Sequence, residues 1–213
     1  MTARPLIVGL AGGIASGKSA FARLLADNGG GEVIDADAIV KNLQNEPGVI
    51  AEMEQILGAS LRTDGGGFDR AAAAKITFSD PQKRAALEQY LHPIVSKKIE
   101  STIHECKRRF AATGNPKLLI LDVPLLFESG YTQICDKIIY IDADPAVRAE
   151  RAVSIRGWNA NEVELREKHQ SNLDVKRSKA NYVIKNTGSR DALASEAAGV
   201  RGRLLNDWKA AQE

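Results

Sequence analysis

Eight residues near the N-terminus carry the clearest chemistry in this chain: Gly12, Gly13, Ile14, Ala15, Ser16, Gly17, Lys18 and Ser19. A glycine, four residues, then Gly-Lys-Ser is the P-loop spacing. In such a loop the backbone N–H groups converge on phosphate oxygens at a helix N-terminus. Lys18 reaches the β- and γ-phosphates, and the Ser19 hydroxyl is offered to Mg²⁺. The expected ligand is ATP with Mg²⁺. Three carboxylates are the next candidates. Asp35 and Asp37 follow a short β-pattern in "EVIDAD", and Asp122 ends "KLLILD". An Asp at the second strand's end can hold an acceptor hydroxyl and take its proton, or orient metal-bound water. If the segment stays extended, alternation puts Asp35 and Asp37 on one side. Asp122 resembles a Walker B acid beside Mg²⁺, and each of the three could instead cap a helix. Cations come late in the chain: Arg148, Arg151, Arg156, Lys168, Lys176, Arg177 and Lys179. They could close over a triphosphate or line a solvated helix face.

These groups need a scaffold that brings them to one edge. "LIVGLA" at 6–11 reads as a buried strand leading into the loop, and "KSAFARLLADN" as the helix after it. Residues 41–111 contain no strand pattern and read as a helical insertion. Asp80-Pro81 marks a helix start there, and His92-Pro93 predicts a break between two helices. Apolar runs return at 117–128 and 136–144. A charged helical stretch covers 145–180, a last short strand lies in 181–188, and a helix runs from Arg190 to Trp208. The order βα, helical block, βαβα, β, α predicts an α/β fold: a parallel sheet with helices on both faces.

The bulk numbers narrow the class. The 213 residues are 44% hydrophobic, enough for a sizeable core. There are 29 basic and 27 acidic residues, a net charge of +2 that gives no basic stripe for nucleic acid. Cys106 and Cys135 form no CxxC, so neither a zinc pattern nor a disulfide framework is expected, and a reducing compartment is. The apolar run at 6–11 breaks at glycines and predicts neither a signal peptide nor a membrane span. A cytoplasmic protein is the expectation. The loop contains no G-x-G-x-x-G, which excludes a dinucleotide fingerprint. No N-K-x-D follows, as a guanine-specific switch would require. His104, Trp158 and Trp208 read as surface or packing residues.

The P-loop with its "GGI" start, "VIDAD", "LHPIV", "LDVPLLFESG" and "YVIKNTG" together resemble the dephospho-coenzyme A kinase family, in order and over nearly the whole chain. "DGGGFDR" and "FSDPQKRAALEQYLHP" match that family's helical insertion. The resemblance implies a three-layer P-loop kinase core with a parallel sheet, a helical substrate-binding insertion and a helical lid. The core would comprise 1–40, 115–144 and 181–213, the CoA domain 41–114 and the lid 145–180. It implies transfer of the ATP γ-phosphate to the 3′-hydroxyl of dephospho-CoA, the last step of coenzyme A synthesis. Asp37 is the implied catalytic base. Lys18 and a lid arginine, Arg148 or Arg151, would act on the phosphates. His92 with Pro124, Leu125, Phe127 and Glu128 would line the acceptor cleft, and Asn186 would lie on the adenine side. Ser19 and Asp122 would serve Mg²⁺. Ala15 departs from the family's usual glycine, Ala20 from its threonine, and His169-Gln170 from its small residues. A nucleoside or nucleotide kinase of the same fold is the first alternative, and a P-loop regulatory NTP-binding protein the second. Nothing in the sequence indicates an oligomeric state.

Overall fold

The computed structural model describes residues 4–27, 30–63, 65–156, 172–186 and 188–210, with the side chains of 155 and 156 left aside. Residues 157–171, and with them Trp158, Lys168, His169 and Gln170, lie outside the described residues, as does the side chain of Arg156.

Five parallel strands form one sheet: β1 (Leu6–Ala11), β2 (Gly31–Asp35), β3 (Leu118–Asp122), β4 (Lys137–Asp142) and β5 (Tyr182–Lys185). Their spatial order is β2-β3-β1-β4-β5. β1 is central, and all six of its residues are buried. Leu6, Val8 and Leu10 join Phe21, Leu25, Val200 and Leu204 in a core between the sheet and two helices, α1 (Lys18–Ala26) and the C-terminal helix Arg190–Ala210. Ile7, Leu119 and Leu121 point to the opposite face and are equally buried. Burial on both faces explains why β1 and β3 read as continuous apolar runs rather than as alternation.

Every strand runs in the same direction, so all five C-terminal ends lie along one edge. β1 delivers the P-loop to that edge. In register, Asp35 of β2 stands opposite Asp122 of β3. The connection from β3 to β4 holds no α-helix, only turns and a 3-10 turn at Tyr131–Ile134. The second half of the expected βαβα is therefore shorter than the pattern implied.

Two compact units divide the chain, residues 1–35 with 103–213, and residues 36–102. The family resemblance puts the helical domain at 41–114. The second unit contains α2 (Ala36–Leu43), α3 (Pro47–Leu57), α4 (Arg70–Ser79) and most of α5 (Pro81–Thr113). Its core is Leu43, Val49, Met53, Leu57, Leu61 and Ala73. The Asp80 carboxylate accepts from the Gln82 and Lys83 N–H groups, the cap expected at that start.

The break expected at His92-Pro93 does not occur, because α5 runs through Pro93. A mid-helix proline forfeits one backbone hydrogen bond and crowds the preceding turn, at a cost of about 3 kcal/mol. Leu87, Tyr90 and Leu91 before it, and Ile94 and Val95 after it, pack on the same cluster. Both halves of the helix are thus anchored to one surface, and packing overrides the local signal.

α6 (Pro145–Arg156) follows β4, a short α7 (Leu173–Ser178) precedes β5, and α8 (Arg190–Ala210) closes the chain. Trp208 of α8 packs edge-on against Phe110, at 5.9 Å between ring centroids, and its indole N–H donates to the Arg4 carbonyl. It is the packing residue the sequence indicated.

Candidate active site

The loop between β1 and α1 is tightly wound, with the Ser16 N–H donating to the Gly13 carbonyl at 3.3 Å. Gly17 has φ 96° and Ala15 has φ 55°, both in the left-handed region. Gly17 is required twice over, since its φ disfavours a side chain and a Cβ there would run into the Asn186 amide. Ala15 occupies a conformation that costs an L-residue roughly 1–2 kcal/mol. The departure from glycine at that position is therefore paid in backbone strain.

Polar groups gather on this loop. The Lys18 ammonium donates to the carbonyls of Gly12 at 3.0 Å and Gly13 at 2.9 Å. Arg148 of α6 is only 7% exposed, and its guanidinium reaches the Ile14 carbonyl at 3.5 Å and the Ala143 carbonyl at 3.3 Å. A Cβ on Gly13 would sit 2.5 Å from that guanidinium, so the bare backbone is what lets Arg148 lie flat on the loop. Arg151, one turn on, donates to the Asn186 carbonyl at 3.4 Å. Asn186, just past β5, donates its side-chain amide to the Ser16 carbonyl at 2.7 Å. The Ser16 hydroxyl is fully buried and has no hydrogen-bond partner among the described residues. An orphaned buried hydroxyl inside an anion cradle fits a site built for a ligand with acceptor oxygens.

Carboxylates occupy the β2 and β3 side of the same edge. Asp122 is 5% exposed at the end of β3, and Asp35 pairs with it in register. Asp37 does not share a strand face with Asp35. Helix α2 begins at Ala36, so Asp37 lies exposed in its first turn and belongs to the second compact unit. Extended alternation fails there because the backbone turns helical one residue earlier. His92 is exposed on α5 in that same unit.

Two ion pairs that no sequence spacing indicated hold α7. Lys176, with 3% of its side chain exposed, meets Glu128 at 2.9 Å. Arg177 meets Asp142, the last residue of β4, at 3.4 Å. Glu128 therefore has a partner in the charged segment before β5. Of its neighbours in the turn after β3, Leu125 is 44% exposed and Pro124 and Phe127 are half-buried. A cavity of about 150 Å³ lies beside the loop, lined by Gly13, Tyr140, Asp142, Arg148, Leu173 and Arg177 among others. Neither cysteine joins the site. Burial and a hydrogen bond to Glu32 push the Cys106 thiol up to about 11, and burial and the charge of Asp136 push Cys135 up to about 12. Both stay protonated at neutral pH and are inert as nucleophiles.

The donor set also bears on a metal. Among the described residues no group of three or more His, Cys, Asp and Glu side chains is arranged to hold an ion. Mg²⁺ needs no such cage, because it keeps waters and takes one or two protein oxygens plus substrate phosphates. Ser19 at the start of α1 and Asp122 at the end of β3 are hard oxygen donors of that kind.

The comparisons with known proteins agree with this geometry. A sequence model described as dephospho-CoA kinase matches residues 6–191. The chain belongs to the dephospho-CoA kinase family. A family member from Corynebacterium diphtheriae is 40% identical over 189 residues, covering 88% of this chain and 91% of that one. One from Anaeromyxobacter dehalogenans is 37% identical, covering 95% and 92%. A solved structure from Thermus thermophilus is 31% identical with a TM-score of 0.72, covering 94% of this chain and 98% of that one. The dephospho-CoA kinase from Campylobacter jejuni has a TM-score of 0.65 at 22% identity and covers 93% and 96%, a likeness of fold. The chain is thus a P-loop kinase of this family, an ATP-binding phosphotransferase with a parallel sheet flanked by helices. Among the described residues no helix is long and apolar enough to cross a membrane.

Proposed function

We propose that the protein transfers the γ-phosphoryl group of ATP to the 3′-hydroxyl of the ribose of dephospho-CoA, giving coenzyme A and ADP. The observation that carries this reading is the anion cradle between β1 and α1 in a chain of the dephospho-CoA kinase family. The loop N–H groups bind the β- and γ-phosphates, and Lys18 leaves its carbonyl partners for them. Arg148, already seated on the loop, adds a fixed positive charge where negative charge develops on the transferring oxygens. Arg151 acts from the same helix. Ser19 and Asp122 are the residues that would hold Mg²⁺, which when bound neutralises phosphate charge and aligns the β- and γ-oxygens.

Transfer forms a bond from the ribose oxygen to the γ-phosphorus and breaks the bond from that phosphorus to the bridging oxygen of ADP. The hydroxyl proton passes to Asp37. Asp37 stands two positions after the strand end at Asp35, so chain connectivity holds it within about 7 Å of that end. His92, Pro124, Leu125, Phe127 and Glu128 are the residues assigned to acceptor binding. Helix α6, whose Arg148 lies against the loop, helps exclude water during transfer. Two free cysteines are consistent with a reducing compartment, the cytoplasm.

ATP turnover with dephospho-CoA, adenosine and AMP, measured side by side, tests the reading. Turnover with dephospho-CoA far above the other two is expected. Preference for adenosine or AMP would replace this function with that of a nucleoside or nucleotide kinase.

A further inference from the structure

We propose that Asn186 is a positioning residue for the phosphate loop and not a reader of the nucleobase. The proposal rests on the nucleotide site described above. Asn186 lies immediately after β5 and is 5% exposed. It is fixed on three sides. Its backbone N–H donates to the Asp142 carbonyl at 2.6 Å, which ties it to the end of β4. Its own carbonyl accepts from Arg151 at 3.4 Å. Its side chain points the other way and donates to the Ser16 carbonyl at 2.7 Å. A backbone carbonyl can only accept, so the atom facing Ser16 is the amide nitrogen and the orientation of the amide follows from chemistry.

Ser16 is the residue before Gly17, where the loop turns left-handed to open α1. The peptide group carrying the Ser16 carbonyl also carries the N–H of Gly17. Both groups lie in the peptide plane and point in opposite directions, so holding that oxygen toward Asn186 aims the Gly17 N–H away from Asn186. Residues 16 and 17 meet Asn186 closely, since a Cβ on Gly17 would collide with the same amide nitrogen. Asn186 therefore acts as a strut across β4 and β5 that sets the direction of a peptide group in the anion cradle. A base-reading residue would instead need its amide edge turned outward. Here the donor is already committed to buried backbone.

Two variants and two readouts test this. Asn186→Ala removes the donor, and Asn186→Asp keeps the size but aims a carboxylate at the Ser16 carbonyl. Inhibition by inorganic tripolyphosphate, competitive with ATP, reads the cradle without a base. The ratio of ATP to GTP turnover reads the base. Both variants should weaken tripolyphosphate by roughly 3- to 10-fold or more, Asp beyond Ala, while the ATP-to-GTP preference stays within about twofold of wild type. Unchanged tripolyphosphate affinity in Asn186→Ala overturns the proposal, whatever happens to base preference. A relaxed base preference that Asn186→Asp restores also overturns it, because a nucleobase-facing oxygen survives in Asp. If Asn186→Asp fails to fold, Asn186→Ala alone decides. Wild-type protein indifferent to tripolyphosphate would remove the nucleotide reading itself, and this proposal with it.

Discussion

Breaking the Lys176–Glu128 pair from its two ends should have unequal consequences. The ammonium end has 3% of its side chain exposed and the carboxylate end 21%, at a separation of 2.9 Å. Removing one partner of a buried pair costs about 3–5 kcal/mol, because the survivor is left charged and dry. Glu128→Gln leaves the nearly inaccessible ammonium facing a neutral amide oxygen. That oxygen still accepts a hydrogen bond, so the expected loss is below the full figure, about 2–3 kcal/mol. Lys176→Met fills the same slot with an unbranched apolar chain. The remaining carboxylate is the better hydrated of the two groups, so the loss should be about 0–1.5 kcal/mol. For a chain of this size each kcal/mol moves Tm by about 2–4 °C, which predicts a fall of about 4–12 °C for Glu128→Gln and no more than about 6 °C for Lys176→Met. Thermal melts followed by circular dichroism, with urea titrations at fixed pH, measure both. A Lys176→Met variant less stable than Glu128→Gln would refute the reasoning, since it would mean that burial of the ammonium does not dominate the pair.

Asp37→Asn should lose about 10²–10³-fold in kcat while ATP still binds. Full activity would rule Asp37 out as the base. At position 15, stability should fall in the order Gly, Ala, Val. Glycine relieves roughly 1–2 kcal/mol of left-handed strain against about 0.4–1 kcal/mol of added unfolded-state freedom, whereas a β-branched side chain makes the strain worse. A valine variant as stable as the glycine one would show that φ 55° is not imposed by the fold. Asp136 gives a pH signature. Burial alone would push its carboxyl up, but hydrogen bonds from Arg4 and from the Ile7 N–H, with the charges of Arg4 and Lys107, hold it below the usual carboxylate range. A lowered folded-state pKa stabilises above the unfolded-state value and loses that contribution as pH falls through the folded one. Asp136→Asn should thus be less stable than wild type at pH 7, and the gap in urea midpoint should close at acid pH below the ordinary carboxylate pKa. A gap that persists or widens there contradicts the assignment.

Local structure was legible from residue order alone. The cradle at residues 12–19 depends on a short run whose glycines, lysine and serine act through their own backbone and nearest neighbours, so spacing suffices to recognise it. β1 and β3 were legible because a strand buried on both faces must be apolar throughout. Asp122 followed from where its apolar run stops, and the cap at Asp80 from a cap residue followed by proline.

Tertiary structure decided what depends on partners far apart in the chain. Strand order places β1 between β3 and β4, and no local pattern encodes that neighbourhood. Pro93 sits inside α5 because one hydrophobic cluster grips the helix on both sides of it, a packing gain that outweighs a local penalty. Lys176 looked like any cation of a charged stretch until the fold buried it against Glu128, some fifty residues earlier. Asn186 turned from a loop residue into a strut on Ser16 only when β5 brought it to the cradle. Asp35 and Asp37 were parted by a helix starting one residue sooner than alternation assumed. Spacing describes what a residue's own neighbours can do. Burial, register and the partner across the sheet are settled by which surfaces the whole chain can remove from water together.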